Sequence, residues 1–274
     1  MTSVPSVLVR RDGPVARVVL NRANARNAVN LAMCVALRET FLMLDGDDAV
    51  RVVLLEAEGP VFCAGADLKE RQGKDEAWVR RRRQASFAAY DAIERCSKPV
   101  VAVVQGPVVG SGGEISMSCD FIIASTAASF RFPEPQWGTV GATQRLQRVI
   151  GKRRAKELLF TGRMMPVEEA HGLGLVARVA TPETLADVAQ AVADAIAAAP
   201  PLAIALTKQA VDLGEETDLS NGIRIEMAAI ERNLADGGWK RGVENFSNAV
   251  GSAKETANAP IEAVASSKAD SARG

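Results

Sequence analysis

The chain opens on alternation. Ser6–Arg11 and Val15–Leu20 are β-rich runs with an Asp12-Gly13 dipeptide between them. Such a dipeptide supplies the positive φ of a tight turn, so the pattern predicts a β-hairpin. Leu31–Leu44 then carries apolar residues at helical spacing, and Val50–Leu55 is a short apolar run closed by charged residues and Gly59-Pro60. A helix followed by a strand is expected. Asp67 and Glu70 form a capping-box pair that predicts a helix from about Leu68. Residues 71–97 are charged, with Trp78, Phe87, Tyr90 and Ile93 at roughly helical spacing. Pro99–Gln105 (PVVAVVQ) reads as a buried strand. It runs into a glycine-rich junction, Gly106–Asp120 (GPVVGSGGEISMSCD), whose helix is expected to begin near Gly112. Phe121–Ala124 and Phe130–Phe132 are further short apolar runs, and Thr143–Phe160 is helical in period with a break near Gly151. Strands and helices alternating in this way predict α/β layering.

From Thr181 the texture becomes helical. Thr181 is read as an N-cap with Pro182 at the first helical position, followed by an alanine-rich body. Pro200-Pro201 ends that helix, and further helices are expected at Leu202–Leu213, Asp218–Leu234 and Gly238–Val250. Residues 251–274 are rich in Ala, Ser and charge with no apolar face, so disorder is expected there. The organisation read from the chain is an α/β core over residues 1–199, a helical region over 200–250 and a tail from 251.

Composition narrows the function. The 274 residues are 47% hydrophobic, enough for a large core. Lys plus Arg and Asp plus Glu are each 33, so no overall charge drives binding to nucleic acid or a membrane surface. A local exception is Arg80–Arg83, four consecutive arginines. They are read as an exposed helix face, with phosphate or RNA binding as the alternative. The four cysteines, Cys34, Cys63, Cys96 and Cys119, lack metal-type spacing and are expected to be reduced, buried thiols in a cytoplasmic protein. No apolar run reaches membrane-span length, and no signal or transit pattern opens the chain. The lone histidine, His171, sits at an apparent helix end and is read as a capping or solvated group.

Three segments hold the candidate chemistry: FCAGADLKE (62–70), GPVVGSGGEISMSCD (106–120) and FPEPQWGTVGATQRL (132–146). The first two are small-residue turns from strand to helix, and each can present a backbone N–H to one oxygen. Two such donors make an oxyanion hole. Glu114 and Glu134 each stand in an otherwise uncharged neighbourhood, and paired carboxylates in different environments are a common acid/base arrangement. Proton transfer beside a thioester carbonyl is the chemistry suggested. Taken locally, either glutamate could also serve as a cap or ion-pair partner.

These segments, in this order, resemble the crotonase superfamily, the enoyl-CoA hydratase and isomerase group, over about residues 6–250. NRANARNA is similar to the family's NRPxxxNA segment, FCAGADLKE to AGxD, GPVVGSGGE to GxxxGGGxE, and PEPQWGTVGATQRL to PE…G…TQRL. The resemblance implies a spiral of β-β-α repeats with a C-terminal helical oligomerisation region, and trimers or hexamers. It makes the N–H groups of Ala66 and Ser111 the oxyanion-hole donors and Glu114 and Glu134 the catalytic carboxylates. Arg26, Ala64 and Lys69 fall at CoA-binding positions, and Trp137 and Gly138 beside the acyl pocket. The implied reaction is syn addition of water to a trans-2-enoyl-CoA, with acyl-CoA as partner and no cofactor beyond it. For Asp67 the capping role is favoured over direct catalysis.

The chain departs from the family pattern in three places. Ser111 stands where glycine is frequent. The segment after Gly138 is shorter than the usual TIPGAGGTQRL type, and the C-terminal end lacks a Lys/Arg cluster. Pro135 follows Glu134 directly and is expected to hold that glutamate in an extended conformation. Another crotonase chemistry (isomerisation, racemisation or C–C cleavage) and an RNA-binding homologue are the alternatives.

Overall fold

A computed structural model describes residues 4–240 and 242–243. The expected hairpin forms from β1 (Val7–Asp12) and β2 (Val15–Leu20), paired antiparallel and turned through Gly13 at φ 54°. Next comes α1 (Leu31–Asp45), capped by the Asn30 side chain, which accepts from the Met33 N–H. Its buried residues Met33, Cys34, Leu37, Phe41 and Leu44 recur every three or four positions, one face turned to the core. β3 (Val52–Ala57), the short α2 (Leu68–Arg71), α3 (Glu76–Glu94) and β4 (Val100–Val104) follow.

The glycine-rich junction contains β5 (Val108–Val109) and α4 (Ser111–Met117), one residue earlier than expected. Then come β6 (Phe121–Ser125), β7 (Ser129–Arg131), α5 (Thr143–Ile150) and α6 (Lys152–Thr161), the last two divided at Gly151 as the pattern indicated. β8 (Met164–Pro166), α7 (Val167–Gly172), β9 (Arg178–Ala180), α8 (Leu185–Ala198), α9 (Pro201–Glu215) and α10 (Leu219–Asp236) complete the order.

Six strands form the main sheet in the order β1-β2-β3-β4-β6-β9, parallel except for the hairpin. A second sheet, β5-β7-β8, stands beside it. The main sheet is covered on both faces, so its central strands are apolar throughout and not alternating. Val52, Leu54, Val101, Val103 and Ile123 face α8 through Leu185, Ala189, Val192 and Ala193. Val53, Leu55, Val100, Ala102 and Val104 face the larger core containing Met33, Leu37 and Phe41. All four cysteines are unpaired and buried.

Two expectations are corrected. Helix α8 starts at Leu185 and not beside Thr181, because the Thr184 hydroxyl accepts from the Thr181 N–H and closes a separate turn first. Arg80–Arg83 do not share one exposed face: Arg80 and Arg81 are exposed, Arg82 is buried and Arg83 half-buried. Three nearly consecutive residues of a helix span most of its circumference, so a run of four cannot stay on one side.

Beyond Pro200, α9 and α10 pack on each other. Leu206 is the only buried residue of α9, and α10 has none. Lys208 ties α9 to the core through an ion pair with Asp120 at 3.0 Å. Most of the helix expected at Gly238–Val250, and all of the tail from 251, lie outside the described residues. Among the described residues no single helix is long and apolar enough to cross a membrane; α8 and α9 pass together only as a pair bent by 106°.

Candidate active site

Two turns meet at one pocket. The first runs through Gly65, whose φ of 94° no residue with a Cβ adopts readily. Ala66 bridges in parallel to Val29, and the bridge uses its neighbours: Val29 N–H donates to Gly65 O and Asp67 N–H to Val29 O, at 2.8 and 2.9 Å. In a parallel bridge the central residue points its own N–H the other way. The Ala66 N–H therefore faces away from Val29, and Ala66 lines the pocket.

The second turn is the start of α4. Gly110, at φ 48° and ψ −108°, precedes Ser111, the first helical residue, whose N–H has no acceptor within the helix. Val109 N–H donates to Cys63 O (2.9 Å), which fixes this turn against the first, and Gly110 N–H donates to Arg131 O of β7 (2.9 Å). The glycines that follow permit the closeness. A Cβ on Gly112 would lie 2.7 Å from the Cys63 Cβ, and one on Gly113 would lie 2.4 Å from Phe132 Cε1.

The two glutamates occupy unlike settings. Glu114, in α4, is buried; its Oε1 accepts from the Ala142 N–H at 2.6 Å and its Oε2 from Arg145 Nη1 at 3.2 Å. Arg145 also pairs with Glu94 and lies over the Tyr90 ring at 5.8 Å. Glu114 is not among the residues lining the cavity. Glu134 is: it is 8% exposed, and its Oε2 has no hydrogen-bond partner among the described residues. Burial pushes its carboxyl above the ordinary range, and the charge of Glu114 pushes it further. Room for it comes from missing side chains, since a Cβ on Gly141 would sit 2.9 Å from Glu134 Cγ and one on Gly110 3.1 Å from Oε1.

The expectation of an extended Glu134 is overturned. Its backbone is right-handed helical (φ −54°, ψ −46°), because its carbonyl accepts from the Trp137 and Thr139 N–H groups and heads a 3-10 turn over Pro135–Trp137. Two hydrogen bonds offset the unfavourable contact with the proline ring.

Around this centre the other candidates fall unevenly. Trp137 lines the pocket while remaining 64% exposed; Gly138 ends the 3-10 turn at φ 64° and does not line it. Ala64 lines the pocket, and its N–H donates to Arg26 O at 2.9 Å. The Arg26 and Lys69 side chains are exposed, outside the cavity lining, and without an ion pair among the described residues. Asp67 caps α2, accepting from the Lys69 and Glu70 N–H groups, and pairs with Arg22 at 3.0 Å. Glu70 does not complete a capping box: it accepts from the Leu31 N–H and so caps α1. His171 Nδ1 lies 2.8 Å from Val176 O at the end of α7, away from the pocket.

Several residues of the site had no individual reading from sequence. Asn27, fully buried at φ 52°, accepts from the Arg22 N–H and donates to Glu58 O and Val61 O, pinning the loop that carries Arg26. An asparagine in a loop tolerates that backbone, which was the available signal. Arg145 and the Ala142 N–H hold Glu114 through tertiary contacts that no local pattern announces. Among the described residues no group of three or more His, Cys, Asp or Glu could hold a metal ion.

A family profile described as Enoyl-CoA hydratase/isomerase matches residues 10–250. A Rhizobium meliloti protein named "Probable enoyl-CoA hydratase" is 36% identical over 247 residues, covering 89% of this chain and 95% of its own. The crystal structure of an enoyl-CoA hydratase from Bacillus anthracis superposes with a TM-score of 0.86 at 34% identity, covering 89% of this chain and 96% of that one. A Thermobifida fusca protein solved in complex with CoA gives 0.80 at 29% identity, covering 85% and 95%. Fold and pocket define a member of the crotonase superfamily. Within that class, the chain belongs to the enoyl-CoA hydratase/isomerase family.

Proposed function

We propose that this chain is an enoyl-CoA hydratase, a hydro-lyase adding water reversibly across the double bond of a trans-2-enoyl-CoA. The observation that supports the reading is one pocket lined by both Ala66 and Ser111, the proposed main-chain N–H donors, beside the buried and unpartnered carboxyl oxygen of Glu134. The thioester oxygen accepts from both N–H groups, which stabilise it most as the enolate forms; each such donor is worth about a hundredfold or more in rate. Water attacking C3 gives its proton to Glu114, whose oxygens are held in place by Arg145 and the Ala142 N–H. Glu134, whose raised affinity for a proton suits it as the acid, delivers one to C2. Exchange with solvent then resets the pair. No cofactor is needed beyond the CoA of the substrate, whose phosphates meet Arg26 and Lys69 while Ala64 borders the thioester.

The four buried, unpaired thiols suit a reducing compartment such as the cytoplasm. The exposed apolar face of α9 and α10 is assigned to contacts between subunits of a trimer or hexamer, with residues 1–199 as the catalytic core. Loss of conjugated enoyl absorbance on adding crotonyl-CoA tests the reaction. E114Q is expected to lower kcat by about a hundredfold or more; undiminished turnover would reject the mechanism.

A further inference from the structure

The wall of the pocket contributed by α3 carries positive charge that forms no ion pair among the described residues. Trp78, Val79, Arg82 and Arg83 line the cavity from one face of that helix, and Arg71 joins them from the end of α2. Arg82 is buried, yet its guanidinium meets only neutral acceptors, Ser86 Oγ at 2.7 Å and Val29 O. A buried cation without an anion is costly. Arg83 is half-buried and gives one nitrogen to Thr139 Oγ1 at 2.5 Å. Neither Arg71, Arg82 nor Arg83 forms an ion pair among the described residues. Of the two acidic residues lining the same cavity, Asp67 is paired with Arg22, and Glu134 feels Arg83 without touching it. Three cations therefore face a cavity of about 120 Å³ whose lining also includes the apolar side chains of Trp78, Val79, Trp137 and Pro133. A plain alkyl chain would fill the walls and leave the guanidinium donors unanswered.

We propose that the acyl pocket takes a short chain ending in a carboxylate, so that the substrate is the monothioester of an unsaturated dicarboxylic acid, and that Arg83 receives that carboxylate. This deepens the hydratase reading and rests on it for the position of the thioester. Arg83 is the receiving residue because both terminal nitrogens of Arg82 are already anchored to the protein, whereas only one of Arg83's is, which leaves its fork freer for a two-point contact. Thr139 holds the guanidinium at the pocket wall, which gives the shortened loop after Gly138 a part in choosing the substrate.

The test compares binding of two saturated thioesters of equal backbone length, glutaryl-CoA and pentanoyl-CoA, by calorimetry. CoA is common to both, so its phosphates cancel from the ratio. Glutaryl-CoA is expected to bind about tenfold tighter or more, a preference that shrinks as salt is raised. R83A should bring the ratio close to one, and R83K should restore part of it. A merely structural Arg83 would weaken both ligands equally and leave the ratio unmoved. Equal binding of the two thioesters by the unaltered protein overturns the proposal without recourse to any variant, as does a ratio that survives R83A. Turnover is read separately: hydration of crotonyl-CoA alongside equal binding would retain the hydratase and discard the carboxylate, whereas preferential glutaryl-CoA binding without hydration of any enoyl-CoA would do the reverse.

Discussion

Ala142 adopts a left-handed backbone, φ 54°, in a buried position, where an L-residue gives up about 1–2 kcal/mol. That conformation turns its N–H onto Glu114 Oε1 and starts α5, which brings Arg145 to Oε2. The strain is thus local to the carboxylate it holds. Glu134 receives the opposite treatment, with a bare oxygen and a raised pKa. Because the folded state binds its proton more tightly than the unfolded chain does, this group stabilises the fold most below the ordinary value of 4.5. That contribution is lost as pH rises through the raised folded value. E134Q should therefore gain stability relative to the unaltered protein as pH climbs through this window, in urea unfolding measured at several pH values, while losing kcat by about a hundredfold or more. A flat difference with pH would contradict the assignment.

Among elements, the glycine junction is the tightest fit. A methyl on Gly113 would press on the buried Phe132 ring, so G113A is expected to lower unfolding free energy by about 1–3 kcal/mol, read from the urea midpoint. The long elements were legible because apolar residues recur along them or proline and capping residues bound them: α1, α9, α10 and the hairpin fall within a residue or two of the pattern, and the strand before the glycines is apolar from end to end. β5, β8 and β9 were not, since two or three residues leave no period to read. Of the candidate site, both turns and Glu134, which line one pocket, stood out in the sequence, because glycine and isolated charge are local signals; Glu114 stood out as well but lies outside that lining. The Arg145 clamp could not, because it joins residues 31 apart. The pocket face of the arginine run stayed hidden for a related reason: charge alone does not say which side of a helix faces inward.

For the molecule as a whole, α10 is the unusual element, with Leu219 80%, Ile223 50% and Met227 50% exposed. If this stripe is the proposed subunit contact, I223D is expected to shift the mass in analytical ultracentrifugation from an assembly toward the single chain. An unchanged mass would remove α9 and α10 from the interface. The distribution of cysteines has a different kind of consequence. Burial raises every thiol, Cys63 to about 12 and Cys96 to about 11, so the closed protein offers thiol reagents almost no thiolate. Each cysteine then reacts only when its own surroundings part, which turns alkylation into a stopwatch for local opening. Cys63 lies against Gly112, at the seam between the two turns, and Cys119 lies at the far end of α4. The ratio of their labelling rates would report whether the paired turns separate independently of the helix behind them, an event invisible to any measurement of turnover.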